Sequence, residues 1–216
     1  MSLKSRFSTA ELERIKAAVR KAEDKISGEI VPVFVEKSGF YSIANYRAAM
    51  VFGSLAFIMI IFFDRYYPPM AIYDPLIIFL SVTLIGIVGA LASHFINSLQ
   101  KLFVSQEHLN RATRQRAETA FMQEEVFNTR HRTGIMIFVS FFEREVMVMA
   151  DRGISKVVEQ KEWDKIVQGI IQNIRKDKVI EGIEGAILRC GEILLEKGFH
   201  KTADDVNELR DDLRIE

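Results

Sequence analysis

Asp151, Arg152 and Gly153 end one apolar run, in "MVMADRGI" at 147–154, and Arg130, Arg132 and Thr133 open another, in "RHRTGIMIF" at 130–138. A carboxylate beside guanidinium groups and a hydroxyl is a set that holds a phosphate or carboxylate ligand through charge-assisted hydrogen bonds. A helix starting near Ser155 would add N–H groups from its first turn. A plainer arrangement uses the same residues: Asp151 pairs with Arg132 and closes the end of a sheet, while Gly153 turns the chain. A hard cation such as calcium or magnesium needs several oxygens. Asp151 and Glu29 offer some, with Asp204 or Asp205 if the tail folds back, and the arginines oppose it.

Other chemistries find less support. The chain carries no HExxH, no phosphate-binding glycine loop and no dinucleotide fingerprint. Ser140 falls within a strand, and His108, His131 and His200 lack obvious carboxylate partners in sequence. The single cysteine, Cys190, excludes an internal disulfide and a CxxC metal site. It sits in a helical apolar pattern with Ile187, Leu188, Ile193 and Leu194, as a small core residue does. Lys and Arg total 29 and so do Asp and Glu, so no net field recruits nucleic acid.

The elements that must position Asp151 are short strands. "GIMIFVSFF" and "EVMVMA" read as strands over about 134–142 and 145–150, joined at Glu143-Arg144 in a tight hairpin. Nearly continuous apolar runs suit strands covered on both faces. "EIVPVFVEK", from Glu29, reads as an earlier strand, weakened by Pro32, which lacks one ladder donor. Before it, Ser8 and Glu11 fit a capping box, Phe7 and Leu12 a hydrophobic staple, and Gly28 a left-handed helix stop. Later, Trp163, Ile166, Ile170 and Ile174, then Ile183, Ile187, Cys190 and Leu194, keep helical spacing. The sum is an α/β fold, a small three-layer α/β/α sandwich with a short mixed sheet. Strand three, antiparallel to the others, brings Asp151 to the starts of strands one and two, beside Glu29, Arg130 and Arg132.

Between the first strand and the rest, charge nearly vanishes. Ala48–Phe63 and Pro75–Phe95 carry no Asp, Glu, Lys or Arg. Spans of about 47–65 and 75–96 approach the roughly 20 residues that cross a bilayer as a helix. Tyr46, Tyr66 and Tyr67 suit the interfacial belt. The connector Asp64–Pro75 is short and holds three prolines, so the two helices form a tight transmembrane hairpin, packed through Gly86, Gly89, Ala90 and Ser93. Basic residues flank its outer ends (Lys37, Arg47, Lys101, Arg111, Arg114 and Arg116), with only Arg65 in the connector. That asymmetry places both termini in the cytoplasm. The first residues, with Lys4, Arg6 and Glu11, lack the apolar stretch of a signal peptide. The expected organisation is therefore 1–40 for the first helix and strand, 46–98 for the hairpin, 99–200 for the remainder of the domain and 201–216 for an acidic tail. A single helix over 98–128 is expected to continue out of the second span.

Several short motifs in this order resemble the TPM domain family, in its bacterial membrane branch. They are "SGEIVPVF" at 27–34, Arg132-Thr133-Gly134, Glu143-Arg144, "ADRGI" at 150–154, Trp163, "EGIEGAI" at 181–187, Gly191-Glu192 and "NEL" at 207–209. The resemblance implies the sandwich fold. It also implies two kinds of chemistry: acid phosphatase activity, reported for some relatives, and calcium binding, attributed to others. The chain departs from the family where many members carry a Gly-Tyr-Gly-Leu-Glu loop after the third strand; here stand Asp151 to Ser155. Gly198-Phe199-His200 likewise replaces a His-Phe-Pro. Two functions are expected from this: a membrane-anchored accessory or scaffold module serving a membrane-protein partner at the bacterial inner membrane, or a phosphatase-like hydrolase at the membrane face.

Overall fold

Every residue of Glu29–Val35 (β1) is buried, and so is every residue of Gly134–Ser140 (β2), because both strands are central and covered on both faces. The structure is a computed structural model and describes residues 3–201 and 207–215. β1 and β2 run parallel, in register from Glu29 with Gly134 to Val35 with Ser140. Glu145–Ala150 (β3) runs antiparallel to β2, from Ser140 with Glu145 to Ile135 with Ala150. As the outer strand it is only half-buried. The acidic tail supplies a fourth strand: Arg214–Ile215 (β4) lies parallel to β1, giving the order β3-β2-β1-β4.

The two-residue period of the strands sorts their side chains. Ile30, Phe34, Ile135 and Ile137 face a core built by Thr9–Glu23 (α1), Gln160–Ile174 (α7) and Val179–Glu196 (α8). Val31, Val33, Met136 and Phe138 face the opposite way, toward Ala117 and Ala120 of Gln106–Gln123 (α5). This is the three-layer α/β/α sandwich with a mixed sheet. Pro32 is tolerated in a central strand by its parity. Glu29 donates its N–H to Thr133 on the β2 side, whereas Ile30 donates to Glu23 on the other side. Pro32 shares the parity of Ile30, so its missing donor falls on the side where β4 pairs only Val33 and Phe34.

Three local expectations need correction. The helix over 98–128 is interrupted: Pro75–Phe95 (α3) is followed by Asn97–Leu102 (α4), and α5 begins afresh at Gln106. The Ser105 carbonyl takes the N–H groups of His108 and Leu109, starting the new helix. α5 then stops where Glu125 turns left-handed (φ 53°), with Val126 N–H bonding to Phe121 O and Glu125 N–H to Met122 O. Gly28 has no left-handed backbone; its need is for space, since a Cβ there would lie 2.9 Å from Leu194 and 3.0 Å from Thr133 O. The β2–β3 connection is wider than two residues. β2 stops at Ser140, whose hydroxyl donates to Glu143, and Glu143 also accepts the Ser38 N–H at 3.0 Å. Arg144 (φ 60°) then completes the turn.

The chain forms two units, Met1–Ser38 with Asn110–Glu216, and Gly39–Leu109. In the second, Ser42–Tyr66 (α2) and α3 pair along small residues. The ideal Cβ position of Gly53 lies 3.5 Å from Val82 O and that of Gly86 lies 3.2 Å from Ala49 O, so the helices run antiparallel. Gly86, Gly89 and Ser93 are buried in this contact, while Ala90 is only partly so. Asp74 caps α3, taking the N–H groups of Leu76 and Ile77, with Pro75 at the first helical position. Both helices are long and apolar enough to cross a membrane, and their large side chains, among them Met50, Leu55, Ile58, Phe79 and Leu84, face outward.

Candidate functional site

The end of β3 meets the start of β2, and there the backbone is forced into unusual shapes. Gly134 opens β2 because a Cβ there would sit 1.9 Å from Val126 O. Arg132, two residues earlier, is left-handed (φ 57°), a conformation that costs a non-glycine residue free energy. Thr133, between them, is buried, and donates its N–H to Thr129 Oγ1 at 2.9 Å. On the other strand, Asp151 follows Ala150 and donates its N–H to Gly134 O at 2.9 Å. The two strand ends are thus tied before any side chain is considered.

Asp151 is 4% exposed and caps a single helical turn, Arg152–Ser155 (α6). Its Oδ1 accepts the Arg152 N–H at 2.7 Å, and its carbonyl accepts those of Ile154 and Ser155. The fourth, of Gly153, goes to Arg132 O at 3.0 Å. Each N–H in this turn therefore has an acceptor within the chain. Asp151 Oδ2 lies 2.8 Å from Arg132 Nε, an ion pair in which the N–H is not aligned for a hydrogen bond. The Arg132 guanidinium also lies over the Phe127 ring, 5.6 Å from its centre. Gly153 is obligatory here, since a Cβ would stand 2.6 Å from Arg132 O and 2.7 Å from His131 O.

The other expected residues join less directly. Glu29 is buried and its carboxylate accepts the N–H groups of Glu208 and Leu209, at 3.1 and 3.4 Å. Glu208 in turn accepts the Arg130 N–H through both oxygens, at 3.1 and 3.0 Å. The segment "NEL" at 207–209 thus links Arg130 to Glu29. Arg152 is exposed, and it is its N–H that engages Asp151. Asp204 and Asp205 lie outside the described residues. No three His, Cys, Asp or Glu groups gather for a metal among the described residues. The oxygens of Asp151 face Arg132 and a backbone N–H, and those of Glu29 face backbone N–H groups, so this set does not fit a calcium or magnesium ion.

One titratable residue escaped the sequence reading. Glu23, in the last turn of α1, is 7% exposed. Its Oε1 accepts the Ile30 N–H at 2.8 Å, and its Oε2 finds no partner among the described residues. Burial pushes the carboxyl up to about 8; the Ile30 N–H and Lys201 oppose the rise, and Glu29 and Asp211 add to it. The signal was present: Glu23 stands four residues after Val19 and eight after Ile15, on the stripe that faces the core. Cys190 is buried in α8, and burial pushes its thiol up to about 12, as an inert core residue requires.

A family model described as the TPM domain matches residues 95–193, the stretch that carries β2, β3, the Asp151 turn, α7 and most of α8. The chain carries a TPM domain. Its fold is similar to the NMR structure of the BA42 protein from the psychrophilic bacterium Bizionia argentinensis, with a TM-score of 0.58 over 97% of this chain and 95% of that one. Identity is 17%, so the likeness is one of fold. No curated protein matches the chain. The Asp151–Arg132 corner and the β2–β3 hairpin both lie inside the matched TPM domain; β1, α1 and the 207–215 segment, which complete its sheet and its core, lie outside it.

Proposed function

We propose that this protein is a membrane-anchored TPM-domain module of the bacterial inner membrane, with both termini cytoplasmic, that serves a membrane-protein partner in assembly or maintenance. One observation carries the reading over a hydrolase. At the corner where the reactive residues were expected, every N–H of α6 and the Asp151 carboxylate are engaged within the chain. A phosphate bound there would have to displace these contacts. The anchor is supported by two helices of the right length and composition, and the orientation by the six basic residues at their outer ends against Arg65 between them.

The test has two arms. Purified full-length protein is given a generic phosphomonoester, with and without calcium or magnesium. The module reading expects no turnover above buffer; turnover that Asp151→Asn abolishes, in a folded variant, would establish the phosphatase instead. A periplasm-dependent reporter enzyme fused after Glu216 should be inactive, and activity there would overturn the orientation.

A further inference from the structure

At the opposite end of the sheet from Asp151, the β2–β3 turn and the end of α7 enclose a cleft of about 370 Å³. That volume lies within the range of small-molecule sites, about 300–1,000 Å³. Its walls are apolar: Val139, Phe141, Val146, Ile171 and Ile174. Its polar lining is two arginines, Arg144 and Arg175, one carboxylate, Glu145, and the Ser140 hydroxyl. The hydroxyl is already held by Ser38 and Glu143. Neither arginine forms an ion pair among the described residues, unlike Arg14, Arg20, Arg132, Arg189 and Arg214. The carbonyl end of α7, which would repel an anion, is closed by Asp177 N–H on Ile174 O and Lys178 N–H on Asn173 O. Arg144 holds its place in the left-handed region (φ 60°), where glycine or asparagine is the cheaper choice.

An apolar trough with two unpaired guanidinium groups at its polar side is complementary to one class of ligand. The geometry points to a binding site for a single anionic phospholipid, its phosphate between Arg144 and Arg175 and part of an acyl chain against Val139, Val146, Ile171 and Ile174. Guanidinium groups bind phosphate through paired, charge-assisted hydrogen bonds, and the apolar walls reward the chain. A supply of lipid is close along the chain. Ser38, bonded to the Ser140 hydroxyl at 2.8 Å, is followed within four residues by Ser42, the first residue of α2. The inference rests on the membrane reading for the source of the lipid, and goes beyond it in giving the soluble unit a ligand.

The test is a calorimetric titration of full-length protein in neutral detergent with dioctanoyl phosphatidate, dioctanoylglycerol and inorganic phosphate as separate probes. Phosphatidate is expected to bind saturably, the uncharged glyceride and free phosphate at least about tenfold more weakly. Arg144→Asn, which suits the left-handed turn, and Arg175→Gln should each weaken binding about tenfold and together about a hundredfold, while lysine at both positions, which keeps the charge and loses the paired bonds, restores only part of it. Unchanged Trp163 fluorescence certifies the fold of each variant. Equal binding of glyceride and phosphatidate, equal binding of phosphate alone, or affinity unchanged in the double variant would each overturn the site. Micelle binding is independent of orientation, so an active reporter after Glu216 with intact phosphatidate binding refutes the topology and leaves the lipid site standing.

Discussion

Arg132 Nε and Asp151 Oδ2 stand 2.8 Å apart across the end of the sheet, the arginine 45% exposed and the aspartate 4%. The partner's exposure lets solvent screen the pair, so most of what Asp151 contributes comes from capping. Asp151→Asn keeps an acceptor for the Arg152 N–H and loses only the charge. It should cost about 1 kcal/mol or less, whereas Asp151→Ala, which removes the cap as well, should cost about 2 kcal/mol. Denaturation of the full chain in neutral detergent, followed through the buried Trp163, measures both. Equal costs would mean that the ion pair, and not the cap, holds the corner.

Gly153 tests the same corner from the backbone side. A Cβ there meets two carbonyl oxygens of residues 131 and 132, which cannot yield without breaking the turn. Gly153→Ala should destabilise by at least about 2 kcal/mol. Gly185 offers the control: it lies in α8 with nothing within 4 Å of its Cβ position. Gly185→Ala should stabilise by up to about 1 kcal/mol, because alanine restricts the unfolded chain and favours helix. The difference between the two variants in the same denaturation experiment is the prediction.

The parts of the fold that were legible are those fixed by neighbours in sequence. Ser8 and Glu11 form the expected capping box, with Glu11 Oε2 accepting the Ser8 N–H at 2.7 Å. The apolar runs at 134–140 and 145–150 are strands, and the argument that brought Asp151 to Arg132 required only their relative direction. What was not legible depends on distant partners. β4 is two residues long and is held by Arg214, whose Nε donates to Glu124 at 2.8 Å, a bond across 90 positions. Glu29 looked like a metal ligand because nothing local shows that Glu208 and Leu209 return to it. The Ser140 hydroxyl was assigned to a strand interior, and the Ser38–Ser140–Glu143 network that ends the strand joins two halves of the domain separated by both apolar helices.

Glu23 makes stability depend on pH in an unusual direction. Its carboxyl titrates near 4.5 in the unfolded chain and is pushed up to about 8 by burial in the folded one. Between those values the folded state binds the additional proton, so stability falls as pH rises through the window and is greatest below it. At about 1.4 kcal/mol per pH unit, the loss is on the order of a few kcal/mol across it. Glu23→Gln keeps an acceptor for the Ile30 N–H and cannot ionise. It should match the parent protein near pH 5, to order of magnitude, and exceed it at pH 8 and above. Melting curves of both proteins across that range, read at Trp163, give the slopes, and an unchanged slope in the variant would assign the effect to another group.

The helix pair offers a separate measurement of packing. The ideal Cβ of Gly53 lies 3.7 Å from Val82 Cγ1, the place that a cysteine sulfur at 82 would take, so a small adjustment brings two sulfurs within bonding distance. Gly53→Cys with Val82→Cys should therefore cross-link rapidly under mild oxidation, and buried Cys190 should not compete. Gly86 sits one turn further along the same contact, with its Cβ position 3.2 Å from Ala49 O. A leucine there has no room unless the helices separate. Small residues at such crossings permit the close approach on which the contact depends, in lipid as in detergent. Adding Gly86→Leu to the cysteine pair should abolish most of the cross-link, whereas Leu84→Ala, at a side chain facing outward, should leave it intact. A cross-link that survived Gly86→Leu would show that the hairpin packs through some other face.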